Sequence, residues 1–153
     1  MAYGGMVHAL EEIRRLLKPT GVLIDIHPVA EASSVEIHQG DKIDLIDHWS
    51  VRQWCTDYQQ ADEALAKIAQ RGLFAVERET VFDSLTYYPS VAEMRTDLKE
   101  TIAKFARDAQ SADEATPQAE ALAARAEALM PAAASGVELI VRERAHISRL
   151  RPT

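Results

Sequence analysis

The stretch over residues 9–28 constrains the fold more than any other part of this chain, because it predicts three successive elements. Apolar residues recur at intervals of three and four and predict an amphipathic helix over about 5–17. Pro19 ends that helix, and Gly21 supplies conformational freedom for the turn that follows. Residues 22–26 are nearly continuous in apolar side chains, which is typical of a strand covered on both faces. The stretch therefore predicts an α/β fold.

Two polar residues of this predicted strand are the candidate catalytic residues. Asp25 interrupts the apolar run, and in a doubly covered strand it must be hydrogen-bonded or sit near the end of the sheet. His27 ends the strand, and in open α/β sheets ligands bind beyond the carboxyl ends of the strands. The two residues are therefore a candidate proton-handling pair. The alternative is a hydrogen-bonded histidine at the exit of a strand.

The rest of the chain predicts a hairpin, three further helices and two long strands, with no internal repeat and no linker that would separate domains. We therefore predict a single domain over 1–153 with a helical insertion over about 90–134. In chain order, the first three elements are a hairpin over 34–46 with its turn at 39–41, a helix over 57–71 that Gly72 caps, and a strand over 73–88 with a bulge near Glu79. Two helices follow: Ser90 and Glu93 cap the first, whose apolar stripe runs to Ala109, and the second starts at Thr116 and Pro117 and continues to 134. The last element is a strand over 137–150, and its apolar face carries Val137, Leu139, Val141, Ala145 and Ile147.

Composition and charge argue against several classes of function. The formal net charge of −7 argues against nucleic acid as the main partner. Four arginines alternate along the closing strand and predict a solvated face, with a grip on a phosphate or acidic ligand as the alternative: Arg142, Arg144, Arg149 and Arg151. No apolar run approaches the roughly 18–20 residues of a membrane span, and the first residues lack the features of a signal peptide.

The cysteine and the histidines predict neither a disulfide nor a metal site. Cys55 is the only cysteine, so we expect a structural thiol in a protein of the reducing cytoplasm. None of the five histidines has the tight spacing of metal ligands, so we predict no metal. His38 and His48 could face each other across the hairpin. Scattered surface histidines are the other interpretation.

Residues 9–21, Ala-Leu-Glu-Glu-Ile-Arg-Arg-Leu-Leu-Lys-Pro-Thr-Gly, resemble a helix and turn of class I S-adenosylmethionine-dependent methyltransferases. In that family an Ala-Leu-x-Glu-Ile-x-Arg-x-Leu-Lys-Pro-Gly-Gly segment precedes the fifth strand, and Thr20 stands here for the first glycine of the pair. Residues 61–74 look like the helix that enters the sixth strand, and 82–88 with the following capped helix look like a substrate-side insertion. The closing strand is similar to the seventh.

The resemblance implies a partial Rossmann-like methyltransferase sheet, the C-terminal half of the family's fold. Strands over 20–27, 137–149 and 73–88 would then lie side by side. The C-terminal strand would lie between the other two and run antiparallel to both. In the family, a glycine-rich loop after the first strand and an acidic residue after the second hold S-adenosylmethionine. The adjacent glycines Gly4 and Gly5 follow no strand, so we carry over no cofactor-binding residue.

Two functions follow from this half-fold. One is a truncated or remnant methyltransferase-like protein that does not bind S-adenosylmethionine alone and whose N-terminal half is missing. The alternative is a non-catalytic, dimeric binding or assembly module.

A homodimer is the predicted assembly. Without the first four strands of the family, one edge of the strand over 22–26 is bare and invites strand addition. A second copy would pair there and also cover the first helix, with Trp49 and Trp54 as interface anchors. The alternatives are that the 34–46 hairpin folds back onto this edge, and that Trp49, Trp54 and Tyr58 belong to the core or line an apolar pocket.

Overall fold

A computed structural model describes residues 3–106, 109–130 and 136–153 as a mixed α/β fold, with four helices and an antiparallel sheet of five strands. In chain order the elements are α1 (Tyr3–Leu16), β1 (Leu23–Pro28), β2 (Ser33–Gln39), β3 (Lys42–Trp49), α2 (Arg52–Gln70), β4 (Phe74–Tyr88), α3 (Val91–Phe105), α4 (Ala109–Leu129) and β5 (Val137–Pro152).

The chain divides into two compact units. Unit 1 consists of the residues up to Ala30, Trp54–Asp83 and Arg144–Thr153. Unit 2 consists of Glu31–Gln53 and Ser84–Glu143. The long strands β4 and β5 contribute residues to both units, and each unit is described by itself.

In unit 1, β5 lies between β1 and β4. Strand β1 pairs with it in antiparallel register, with Leu23 opposite Leu150 and His27 opposite His146. Strand β4 pairs with it on the other side, where Thr153 donates its backbone N–H to the carbonyl of Leu73 at 3.3 Å. The predicted neighbours of the C-terminal strand are therefore confirmed.

The core of unit 1 lies on one face of these strands, where α1 and α2 contribute their apolar stripes. The fully covered side chains include Ile68 of α2, Phe74 of β4 and Leu150 of β5, and Leu23 of β1 packs against them. Each such side chain contributes about 1.5–3 kcal/mol through burial. Gly72 ends α2 with a φ of 67°, as its predicted role as a C-cap requires.

Gly21 serves the turn before β1 through its small size, not through the conformational freedom that the sequence predicts. Its φ is not positive, and its N–H donates to the carbonyl of Lys18 at 2.8 Å. A Cβ atom at this position would lie 2.2 Å from Cδ2 of Leu17 and 2.9 Å from that same carbonyl oxygen. The chain therefore passes too close to the end of the helix for any larger residue.

The expectation that β1 is covered on both faces is wrong for the part of the chain that the structure describes. Ile24 is 52% exposed and Ile26 is 58% exposed, because both helices of unit 1 pack on the opposite face. Strand β1 also ends the strand order, so its outer edge has no neighbour among the described strands. The alternative that the 34–46 hairpin covers this edge is wrong, because β2 pairs with β5 and β3.

In unit 2, the predicted hairpin forms from β2 and β3. Its turn holds Gly40 at a φ of 58°, where an L side chain would be strained. Strand β2 also pairs with the first part of β5, with Ser34 opposite Arg142 and Gln39 opposite Val137. A register shift between Val35 and Glu36 bends the hairpin.

Helices α3 and α4 pack against each other in unit 2. Ser90 caps α3 as predicted, because its side chain accepts the backbone N–H of Glu93 at 3.2 Å. Helix α3 buries Met94 and Leu98 among others. Helix α4 presents small side chains such as Ala119 and Ala123, which allow a close approach.

Several predicted boundaries and faces are wrong. Helix α2 begins at Arg52, not at 57. The apolar stripe of α3 does not continue to Ala109, because the helix ends at Phe105 and Ala109 begins α4. Pro117 lies inside α4, which therefore starts seven residues before the predicted Thr116. Helix α4 ends at Leu129, and most of the predicted continuation to 134 lies outside the described residues.

The predicted apolar face of β5 is also wrong. Leu139 and Ala145 are buried as expected, but so are Ile140, Ser148 and Leu150, which have the opposite parity. The adjacent residues Leu139 and Ile140 are both buried where β5 pairs with β2, so both faces of the strand are covered there, whereas Ser148 and Leu150 are buried where β5 pairs with β1.

In the described residues, no helix is both long enough and apolar enough to cross a membrane.

Candidate functional site

A cluster of polar side chains lies on the helix-covered face of unit 1. Asp25 and His27 are two residues apart in β1 and therefore share a face of the strand. The register places His146 of β5 opposite His27 and Ser148 opposite Asp25. Asp62, from α2, reaches the same place. Polar residues therefore occupy one end of the helix-covered face, and the apolar core of unit 1 occupies the other end.

His27 is held between two carboxylates. Its Nδ1 lies 2.6 Å from Oδ2 of Asp25, and its Nε2 lies 2.9 Å from Oδ1 of Asp62. Ionised carboxylates only accept hydrogen bonds, so this arrangement favours the cationic imidazole, in which both ring nitrogens donate. The hydrogen bond to Asp25 raises the pKa of His27, and the bond to Asp62 adds to this, while burial opposes both. The side chain is 10% exposed.

His146 is the second imidazole of the cluster, and its polar contacts are long. Its Nδ1 lies 3.5 Å from Oγ of Ser148, and its Nε2 lies 3.9 Å from Oε2 of Glu79. Both distances exceed the usual 2.7–3.2 Å of a hydrogen bond from nitrogen to oxygen. The ring meets that of His27 edge to face, with centroids 5.4 Å apart. The His146 side chain is 20% exposed and thus mostly enclosed, and in the described part of the chain its polar contacts are these two long ones.

The arrangement is suited to two kinds of chemistry. A cationic imidazole between two carboxylates can give up and regain a proton. In addition, Asp25, His27 and His146 each offer one donor atom, and these three atoms lie within 4.8 Å of one another. We call these three residues the Asp25–His27–His146 cluster.

The sequence brings two of these residues to attention, and the structure places them in direct contact. The hydrogen bond expected of Asp25 is present, whereas the catalytic role of Asp25 and His27 stays a prediction. His146 and Asp62 escaped sequence reasoning because they lie far away along the chain. The antiparallel pairing predicted for the first and last strands indicates that a residue of the last strand lies opposite His27. The sequence does not identify this residue as His146, because it does not supply the register.

A second polar cluster surrounds Glu36 in unit 2. Arg142 donates to both carboxylate oxygens of this residue, and Ser34 and His38 also contact it at 2.5 and 2.7 Å. The Arg142 guanidinium is the main cause that lowers the pKa of Glu36 to about 2. Every group in this cluster is satisfied by another, so we assign it a structural role.

The other sequence candidates are not assembled into a site. Arg149 and Arg151 both pair with Glu77 in unit 1, so the four arginines do not form one open phosphate-binding face. His38 lies opposite Ile43 in the hairpin register and does not face His48, so that pairing is wrong.

The two tryptophans have different surroundings. Trp49 is buried within unit 2, which excludes it as an interface anchor. Trp54 and Tyr58 are half-buried in α2, as is Cys55.

A comparison with protein families, with curated proteins and with solved structures finds no match for this chain.

Proposed function

We propose that this chain is the substrate-side half of a methyltransferase-like fold and that it does not bind S-adenosylmethionine by itself. The observation that carries the proposal is the position of β5 between β1 and β4, antiparallel to its neighbours. The resemblance of residues 9–21 to class I methyltransferases implies this order before any pairing is known. The presence of this strand order in unit 1 supports the half-fold that the resemblance implies.

The exposed face of β1 is a second observation that supports the proposal. In the complete methyltransferase fold, the equivalent strand is interior and apolar on both faces. Here Ile24 and Ile26 are more than half exposed. Asp25 and His27 point to the helix-covered side, so β1 turns its most apolar residues outward. Such a strand fits a sheet that is completed by additional structure.

The expected inability to bind the cofactor follows from the residues that the chain contains. A glycine-rich loop between a strand and a helix lets the backbone approach the methionine end of S-adenosylmethionine. Strand β1 is instead preceded by the tight Gly21 turn, where a Cβ atom would meet the Leu17 side chain and the Lys18 backbone oxygen. No acidic residue can be matched to the family's ribose ligand.

Calorimetry tests this proposal directly. The purified chain is titrated with S-adenosylmethionine and separately with its demethylated product, and a complete class I methyltransferase serves as the positive control. We expect no binding heat from the chain at a protein concentration near 1 mM. A dissociation constant in the micromolar range for either ligand would contradict the proposal.

A second candidate function, a homodimeric binding module, is favoured by the free edge of β1. Unpaired backbone groups at a sheet edge pair readily with another strand, and a two-fold axis is the commonest oligomer symmetry. The exposed Ile24 and Ile26 beside this edge, together with Ile13 and Leu16 of α1, would gain cover from a second copy.

Sedimentation equilibrium at tens of micromolar distinguishes this module from a monomer. The dimer hypothesis expects twice the chain mass of 17.0 kDa, and a monomer rejects it. Ile24→Thr combined with Ile26→Thr keeps β-branched side chains and should shift the equilibrium toward monomer by at least about tenfold. The matched control is Ile43→Thr, which changes an equally exposed isoleucine of β3 and should leave the mass unchanged.

A further inference from the structure

We propose that the Asp25–His27–His146 cluster is a binding site for a divalent transition-metal ion of the zinc type. The proposal is independent of the methyltransferase-like half-fold, because it rests only on side chains within unit 1.

The backbone holds the three ligands in a fixed relation. His27 and His146 form a directly opposite pair in antiparallel register, and Asp25 stands two residues from His27 on the same face. Directly opposite residues have Cβ atoms about 4.5–5.5 Å apart, so their side chains meet above the sheet. The donor atoms lie within 4.8 Å of one another. Ligands of tetrahedral zinc are about 3.3 Å apart, as bond lengths near 2.0–2.1 Å require. Binding would therefore involve side-chain rotations that bring the more distant donor atoms together and open the 2.6 Å contact between His27 and Asp25.

The donor set selects the class of ion. Two imidazoles and one carboxylate suit Zn²⁺ and its first-row neighbours, whereas Mg²⁺ and Ca²⁺ prefer oxygen ligands alone. Three protein ligands leave a coordination position open to water or another small molecule. The nearby carboxylates of Asp62 and Glu79 add negative charge that favours a divalent cation.

The hydrogen bond from His27 to Asp62 provides the support that metal-binding histidines usually have. An ion would take the place of the proton between Nδ1 of His27 and Oδ2 of Asp25, and these two atoms, 2.6 Å apart here, would separate to the spacing that zinc ligands require. Nε2 then continues to donate to Asp62, at 2.9 Å in this structure. A carboxylate on the distal nitrogen fixes the ring orientation and makes the ligand nitrogen more basic.

His146 distinguishes a metal site from a simple ion pair. The contacts of His27 with Asp25 and Asp62 form a satisfied unit and do not require a second histidine. His146 nonetheless lies mostly enclosed against the His27 ring, and its polar contacts are 3.5 and 3.9 Å long. A shared metal ion would give one of its ring nitrogens a strong partner.

Metal titration of the tag-free chain tests the proposal. After treatment with a chelator, the protein is titrated with Zn²⁺ by calorimetry and with Co²⁺ by visible absorption, which reports the coordination geometry. We expect one ion per chain with a micromolar or tighter dissociation constant. The Co²⁺ spectrum should have the intense bands of a four- or five-coordinate site.

Variants locate the bound ion. His146→Gln and Asp25→Asn should each weaken Zn²⁺ binding by more than about tenfold, and Asp62→Asn by about tenfold through its effect on His27. His48→Gln, which changes an exposed histidine of β3, is the matched control and should bind as the parent does. Circular dichroism of each metal-free variant establishes that it is folded. His146→Gln is the decisive variant, because the long contacts of His146 contribute little to folding.

The proposal is overturned by either of two results. One is the absence of stoichiometric binding at about 100 μM Zn²⁺. The other is binding that a folded His146→Gln variant retains in full, since this would place the ion elsewhere on the surface.

Discussion

Arg142 and Glu36 form a bidentate ion pair between β5 and β2. Nε of Arg142 lies 3.0 Å from Oε1 of Glu36, and Nη2 lies 3.1 Å from Oε2. Planar guanidinium and carboxylate groups match each other in this geometry, which makes such pairs stronger than single contacts. Glu36 is one of the few buried charged residues of the described chain, so its charge depends on this partner.

The first prediction concerns the acid stability of this pair. Because the folded-state pKa of Glu36 is lowered to about 2, its contribution is fully present above the unfolded value near 4.5 and is lost as the pH falls toward 2. We expect Glu36→Gln to reduce the free energy of unfolding by about 2 kcal/mol at pH 7, and the difference from the parent should vanish near pH 2.

Urea denaturation at several pH values between 2 and 7 measures this difference. The matched control is Glu12→Gln, which removes an exposed carboxylate paired with Arg15. It should change the free energy of unfolding by less than about 0.5 kcal/mol at every pH. A pH-independent difference for Glu36→Gln would show that the lost interaction is not that of the ionised carboxylate.

The second prediction concerns the turn before β1. Gly21→Ala introduces a Cβ atom 2.9 Å from the backbone oxygen of Lys18 and 2.2 Å from the Leu17 side chain. The side chain can move, but the backbone oxygen moves only together with the turn. We expect a loss of about 1–3 kcal/mol in the free energy of unfolding, as for other overpacked sites. Thr20→Ala, in the same turn but exposed, should be nearly neutral, and an equal loss in both variants would refute a steric cause.

The third prediction compares two leucines of unit 2. Leu98 of α3 is 4% exposed, and Leu129 at the end of α4 is 56% exposed. Leu98→Ala should lower the free energy of unfolding by about 2–5 kcal/mol, because it removes buried methyl groups and leaves a cavity. Leu129→Ala should change it by less than about 0.5 kcal/mol. Thermal and chemical denaturation of the two variants measures this contrast, and similar losses would argue against the packing of α3.

The fourth prediction concerns the cap of α3. Ser90→Ala removes the oxygen that accepts the N–H of Glu93, and we expect a loss of about 1 kcal/mol. Ser90→Asn retains a capping acceptor and should stay within a few tenths of the parent value. Loss of stability in both variants alike would indicate that the serine contributes through something other than its cap.

Local signals predicted the parts of the fold that depend on neighbours in the chain. The Gly40 turn, the Gly72 cap and the Ser90 cap each rely on a few adjacent residues, and all three form as expected. The order of β1, β5 and β4 followed instead from the resemblance of a short segment to a family.

The errors share a different cause, which is that distant residues decide the outcome. Thr116 and Pro117 have the signature of a helix start, yet buried contacts of Ser111 and Ala115 extend α4 over the preceding turns. The candidate site shows the same limit. Asp25 and His27 lie two residues apart on one strand and could be paired from the sequence, whereas His146 joins them only through the register between β1 and β5.

The one-sided pairing of β1 should leave a signature in amide hydrogen exchange. Along an antiparallel edge strand, successive N–H groups point alternately toward the neighbour and away from it. The amides of β1 that donate to β5 should therefore exchange slowly, and those in between should exchange quickly with deuterium. Whatever binds along the free edge, whether a second copy or another chain, would protect every amide of the strand and erase this alternation.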